Sequence, residues 1–221
     1  MKTTTAGVWA LALLALCATG QANTITFDTD PFAGTPVLNT PGRQVVGGEE
    51  FISFSPATDV FSLNANVFGV GNTLNFFNGP ASLIPTSGVN VVVLENFDND
   101  NDPGTPFGAG NAADLIANRI TTPGPGFFIY FNQSLDLSRL VYSTDLSSSD
   151  ADLKVLARML NLSGNEGRNE LPSFTAANFE ITTAATPEPS QVSTIGAAIL
   201  LIGAVRWVVR RRSRSDWSAA S

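Results

Sequence analysis

Between Asn23 and Ile181 the chain alternates short apolar runs with clusters of Gly, Pro, Asn and Asp. The runs Thr24-Ile25-Thr26-Phe27, Phe51-Ile52-Ser53-Phe54, Val60-Phe61-Ser62-Leu63, Val89 to Leu94, Phe127 to Phe131, Leu140-Val141-Tyr142 and Phe174 to Ile181 are rich in β-branched and aromatic residues. Such residues fit a pleated, half-buried surface, so each run predicts a strand. Gly47-Gly48, Asn78-Gly79-Pro80 and Thr122 to Gly126 punctuate them as turns. Ala112 to Ile120 predicts a short helix. Asp152 to Leu162 fits two periods: Leu153, Val155, Ala157 and Met159 alternate as in a strand, while Leu153, Leu156 and Leu160 would stripe a helix. Many short strands with little helix point to an all-β fold, an antiparallel β-sandwich or jelly roll over residues 23–181.

The two ends follow a different pattern. Lys2 gives a charged start, Val8 to Ala18 an apolar run, and Gly20-Gln21-Ala22 the small residues that a signal peptidase requires, so residues 1–22 are expected to be a signal peptide cleaved before Asn23. The apolar run is short for a bilayer anchor. A lipoprotein site at Cys17 is disfavoured by bulky Leu16 before it.

Residues 182–191 form a small polar linker containing Pro187-Glu188-Pro189-Ser190, whose prolines fix an extended backbone. Val192 to Val209 is an apolar stretch of 18 residues, interrupted by Arg206, which lies one turn from the end and can snorkel to the headgroups. Arg210, Arg211, Arg212 and Arg214 follow in a basic tail, 210–221, that the positive-inside rule keeps in the cytoplasm. The expected topology is a domain outside the inner membrane, one transmembrane helix over 192–209, and a tail inside.

This order of Pro-Glu-Pro-Ser, apolar run and Arg cluster, from Thr186 to Arg214, resembles the PEP-CTERM sorting signal of Gram-negative bacteria. Two departures are Thr186, where the family commonly has Val, and a tail that continues from Ser215 to Ser221. The resemblance implies an exported protein held transiently in the inner membrane, processed by the transpeptidase-like exosortase, and passed to the cell surface or secreted. An ordinary single-pass anchor is the alternative. Asn96, Asp102-Pro103, Ala112 to Ala117, Phe127 to Phe131 and Arg139 to Ser143 also resemble a recurrent domain of PEP-CTERM proteins, which implies an extracellular β-domain and no particular substrate.

Charge sharpens this picture. Of 12 basic and 19 acidic residues, six basic and seventeen acidic lie between Asn23 and Thr186, a net charge of −11 for that stretch. Nucleic acid is therefore not an expected partner, because phosphate binding needs a basic face. Cys17 is the only cysteine and there is no histidine. A disulfide within the domain, Ser-His-Asp or Cys-His nucleophile systems and imidazole-held metals are thereby excluded.

The densest candidate chemistry is Asp98-Asn99-Asp100-Asn101-Asp102. Asp98, Asp100 and Asp102 are candidate Ca²⁺ ligands, with Glu95 and Asp114 as further oxygen donors. Pro103 and Ala109 stand where an EF-hand needs Gly and Glu, so the alternative is a solvated turn whose Asp and Asn side chains bond their own backbone. A carboxylate pair could hydrolyse a glycoside, but no spacing selects two. Asn132-Gln133-Ser134 and Asn161-Leu162-Ser163 match the glycosylation sequon by chance, and Gly69-Val70-Gly71 lacks the rest of a dinucleotide fingerprint. The expectation is a non-enzymatic, surface- or matrix-associated protein. The alternative is a carbohydrate-binding or adhesive module, calcium-stabilised, in an extracellular polysaccharide matrix.

Overall fold

The structure is a computed structural model and describes residues 22–37, 40–98, 100–102 and 104–183. The expected signal peptide up to Gln21, the Pro187 to Ser190 motif, the span Val192 to Val209, Arg206 and the Arg210 to Arg212 cluster lie outside the described residues. Among the described residues no helix is long and apolar enough to cross a membrane.

The described chain is mostly β-strand, in two sheets, with few helices. The smaller sheet holds β1 (Thr24–Phe27), β4 (Val60–Asn64) and β10 (Phe179–Thr182), with β4 in the middle and both neighbours parallel to it. The larger sheet runs β2 (Val45–Val46), β9 (Leu153–Ser163), β8 (Leu137–Ser143), β7 (Gly126–Asn132), β6 (Val91–Leu94) and β5 (Phe76–Gly79), and β3 (Glu50–Ile52) also pairs with β9. Only β7–β8 and β8–β9 pair antiparallel; β5–β6, β6–β7 and the β2 and β3 contacts with β9 are parallel.

The parallel arrangement has a local cause. Every residue of β6 and of β7 is buried, so each strand faces apolar groups on both sides and has no wet face. Between them the chain crosses over through α2 (Ala109–Ala117), forming a βαβ unit in place of a hairpin. The helix starts where Asn111 Oδ1 accepts the Gly108 amide at 3.0 Å. Ala109, Ala112, Ala113 and Ile116, spaced i, i+3, i+4, i+7, form its buried stripe.

Two cores result, one on each face of the larger sheet. Val92, Leu94, Phe128, Tyr130, Val141 and Val155 pack with the α2 stripe and Phe107. Their sequence neighbours Val91, Val93, Phe127, Ile129, Leu140 and Tyr142 point the other way and pack with Phe27, Phe61, Leu63 and Phe179 of the smaller sheet. Phe54 stacks on Phe61 with centroids 4.1 Å apart and on Phe174 at 5.5 Å.

Several local expectations shift. Asp152 to Leu162 resolves as the strand β9, and the helix expected over Ala112 to Ile120 lies three residues earlier. Asn78-Gly79, expected as a turn, ends β5, because the Asn78 carboxamide donates to Leu171 O and Phe174 O, both at 2.9 Å. That same chain, Leu171–Ser173 and then Ala176–Asn178, forms 3₁₀ turns, so only Phe179–Thr182 of the strand expected from Phe174 is extended. Asn64 caps the four-residue α1 (Ala65–Phe68) by accepting the Asn66 and Val67 amides, and Gly69 ends it at φ 65°.

Candidate functional site

The Asp-rich loop leaves β6 at its carboxyl end and leads into α2. Asp98 Oδ1 accepts the Asp100 and Asn101 amides at 3.1 and 2.9 Å, Asp100 Oδ1 the Asp102 amide at 2.9 Å, and Asp102 Oδ1 the Gly104 amide at 2.8 Å. Thr105 donates its hydroxyl to Asp100 Oδ2 at 2.7 Å. The Asp102 amide and then the Thr105 hydroxyl hold the Asp100 carboxyl below its ordinary value. These are successive Asx turns, in which each carboxylate satisfies the backbone that follows it. Asp114, on α2, is engaged by Arg43 at 2.9 Å. Among the described residues no three Asp, Glu, His or Cys side chains converge as a metal-holding group.

Gln133, directly after β7, clamps the end of the loop. Its Oε1 accepts the Phe107 amide at 2.7 Å, its backbone N–H donates to Phe107 O at 3.1 Å, and its Nε2 donates to Phe97 O. An open cleft beside it is lined by Asp98, Asn101, Pro106, Gln133 and Ser134. Phe97, next to Asp98 in the chain, is 41% exposed with the Arg168 guanidinium 4.2 Å over its ring. Among the described residues the other exposed aromatic is Phe51, under Arg158 at 5.1 Å on the edge of the sheet formed by β3, and Tyr130 and Tyr142 are buried. The described aromatics thus form no exposed row. Of the sequon asparagines, Asn132 is buried with its amide on the Tyr130 hydroxyl, and Asn161 exchanges hydrogen bonds with the Phe54 backbone.

A second polar centre went unmarked in the sequence. Glu49, its side chain 5% exposed, accepts on one oxygen from Arg139 of β8 at 2.7 Å and from Arg158 of β9 at 2.5 Å. Arg139 also reaches the Tyr130 hydroxyl of β7 at 3.4 Å. Burial pushes the Glu49 carboxyl up, but its own amide, Arg158 and Arg139 together pull it below its ordinary value of 4.5. The segment that carries Glu49 is held largely by such polar ties: Gln44 bonds Asp152, Lys154 bonds Gly47 O, and Arg43 bonds Gly110 O. Its strands β2 and β3 bury little, and Val45 and Phe51 remain more than half exposed.

Glu49→Gln is therefore expected to destabilise the domain by about 2 kcal/mol at pH 7, less than a fully buried pair because Arg158 is partly solvated. The carboxyl is depressed in the fold, so its contribution is full above about pH 4.5 and is lost as pH falls through the lower folded value. Urea titrations of both proteins from pH 3 to pH 7 check this: the gap should close toward pH 3, and a constant gap would refute the ionic account.

The third centre is Asp59, 3% exposed, at the start of β4. Its Oδ1 accepts the Asn23 amide and the Thr58 hydroxyl, both at 3.0 Å, and its Oδ2 accepts the Ser55 amide at 2.8 Å. Asn178 Nδ2 donates to the Asp59 carbonyl at 2.9 Å. Burial pushes the carboxyl up, and the Asn23 and Ser55 amides and the Thr58 hydroxyl outweigh it, so the group stays below its ordinary value.

No protein-family model, curated protein or solved structure matches this chain. Its functional reading therefore stands on its own residues. The only sequence signal for Asp59 was its place one residue before a β-branched run. Glu49 had none, because its two partners lie 90 and 109 residues away.

Proposed function

We propose that the chain is an exported, non-enzymatic protein, anchored in the inner membrane by residues 192–209 and sorted to the cell surface or extracellular matrix through a PEP-CTERM signal processed by exosortase. The observation that carries this is the order of Pro187-Glu188-Pro189-Ser190, the apolar run and the Arg210 to Arg212 cluster. The fold agrees with such a tether: β10 completes the smaller sheet at Thr182, where the linker was expected to begin. With the two sheets stacked on the Phe-rich core, the domain reads as a sandwich of mixed strand direction, a rigid body for display. The three polar centres, whose carboxylates are met by backbone amides, hydroxyls or arginines of the same domain, fit a structural role.

The test is Glu188→Ala in cells that contain an exosortase. Insertion depends on the apolar run and the arginines, so export should persist while onward sorting fails and full-length precursor accumulates severalfold in the membrane. Probing the domain and the Arg tail separately reads this out. If the variant behaves as wild type, and wild-type domain never separates from its tail, residues 182–221 are an ordinary anchor.

A further inference from the structure

Asp59 is a buried carboxylate, held below its ordinary value by hydrogen bonds and without a cation beside it. It is 3% exposed, and no Lys or Arg among the described residues pairs with it. Buried charges are ordinarily paired, because an isolated one forfeits its hydration. The donors to its carboxylate are all neutral: the Asn23 amide on β1's leading edge, and the Ser55 amide and Thr58 hydroxyl before β4. One of these donors can change its charge. The Asn23 nitrogen, 3.0 Å from Oδ1, belongs to the bond with exposed Ala22 at which the leader is expected to be cut.

We infer that Asp59 is a receptor for the N-terminus created by processing: hydrolysis of the Ala22–Asn23 bond turns a neutral amide into an α-ammonium that pairs with the buried carboxylate and locks β1 onto β4. This rests on cleavage before Asn23. In the step, a water oxygen joins the Ala22 carbonyl carbon, the C–N bond breaks, and Asn23 nitrogen takes the proton, then a further one from solvent at neutral pH. No rearrangement is needed. Asn23 is already held on its other side, where its carbonyl accepts the Val60 amide at 2.9 Å, and Thr24 is in register with Val60. The ammonium offers three donors where the amide offered one. The unprocessed chain would fold with an unpaired buried charge, and the processed chain with a charge-assisted pair.

The experiment uses the whole processed chain, Asn23 to Ser221, in detergent, in three forms: free amine, acetylated amine, and extended by Ala22. At pH 6 the free-amine form should have an unfolding constant about tenfold smaller than the other two, matching an amine pKa raised about one unit above its usual 7.7–8.0. A raised pKa gives stability that is full below the unfolded value and lost as pH rises through the folded one, so the three forms should converge above about pH 10. Asp59→Asn should erase the difference; should that variant not fold, acetylation of the wild type remains decisive. Equal stability of free and acetylated forms at pH 6 overturns the pair. N-terminal sequencing of exported protein separates the two ideas. A start other than Asn23 overturns the maturation step even if the amine effect is present, whereas a start at Asn23 without an amine effect overturns the pair and leaves export intact.

Discussion

Phe61→Ala should destabilise the domain by about 4 kcal/mol, the usual cost of removing a buried ring. Phe61 is fully buried on the central strand of the smaller sheet, and five other rings lean on it directly or through one neighbour. Phe54 lies 4.1 Å away in a nearly parallel stack, Phe27 and Phe179 pack tilted at 6.2 and 5.8 Å, and Phe174 continues the stack beyond Phe54. Truncation leaves a cavity that cannot close, because β1 and β10 hold β4 from both sides through their ladders. Phe61→Leu keeps most of the volume and should cost about 1.5 kcal/mol. Urea denaturation of the two variants at pH 7 checks the pair. An Ala variant no worse than the Leu variant would mean that the site collapses and the stack does not hold the smaller sheet.

The strands were legible because their composition is blunt. Thr24 to Phe27 and Val60 to Leu63 fall where the β-branched and aromatic runs put them. Their direction was misread, although a signal existed. Val91-Val92-Val93-Leu94 and Phe127 to Phe131 are continuous apolar runs, not alternations, and a run without a polar face belongs to a strand covered on both sides, as parallel strands are. Taken with Ala112 to Ile120 between them, they spell a βαβ crossover. What stayed illegible were elements defined by partners far along the chain. Asn78-Gly79 carries the composition of a turn, yet hydrogen bonds to residues 93 and 96 positions away keep it in β5. Val45–Val46 is too short to show a period and pairs with the edge that β9 offers, whereas the strand expected over Phe51 to Phe54 is present one residue earlier and shorter, as Glu50–Ile52 on the same β9.

The polar centres divide in the same way. The Asp98 to Asp102 loop could be read locally, since an Asx turn involves residues two apart, and the structure fills those carboxylates with backbone amides. Glu49 and Asp59 could not, because what distinguishes them from fifteen other acidic residues of the domain is burial, a property of the assembled sheets.

Gly167→Ala sets two physical effects against each other with a clear winner. Gly167 is in the helix α3 (Gly164–Asn169), where alanine would ordinarily gain about 1 kcal/mol in helix propensity. Here a Cβ would stand 2.0 Å from the carbonyl carbon of Leu162, 2.4 Å from its oxygen and 2.7 Å from its Cα. These are backbone atoms of β9, and Leu162 is itself in the core, 4% exposed, so no rotamer change relieves the overlap. Either α3 lifts from β9 or β9 bends, and the expected loss is about 3 kcal/mol. For a domain of this size that lowers Tm by about 6–12 °C. Gly164→Ala is the matched control. Its Cβ would meet nothing closer than 3.9 Å, and the cost is limited to the left-handed backbone at φ 63°, about 1 kcal/mol. Arg168, which covers Phe97 beside the Asp-rich loop, should move with α3, so protection of the loop amides from exchange should fall in the Gly167 variant only. Thermal unfolding that ranks the two variants equally would show that α3 does not sit this close to β9.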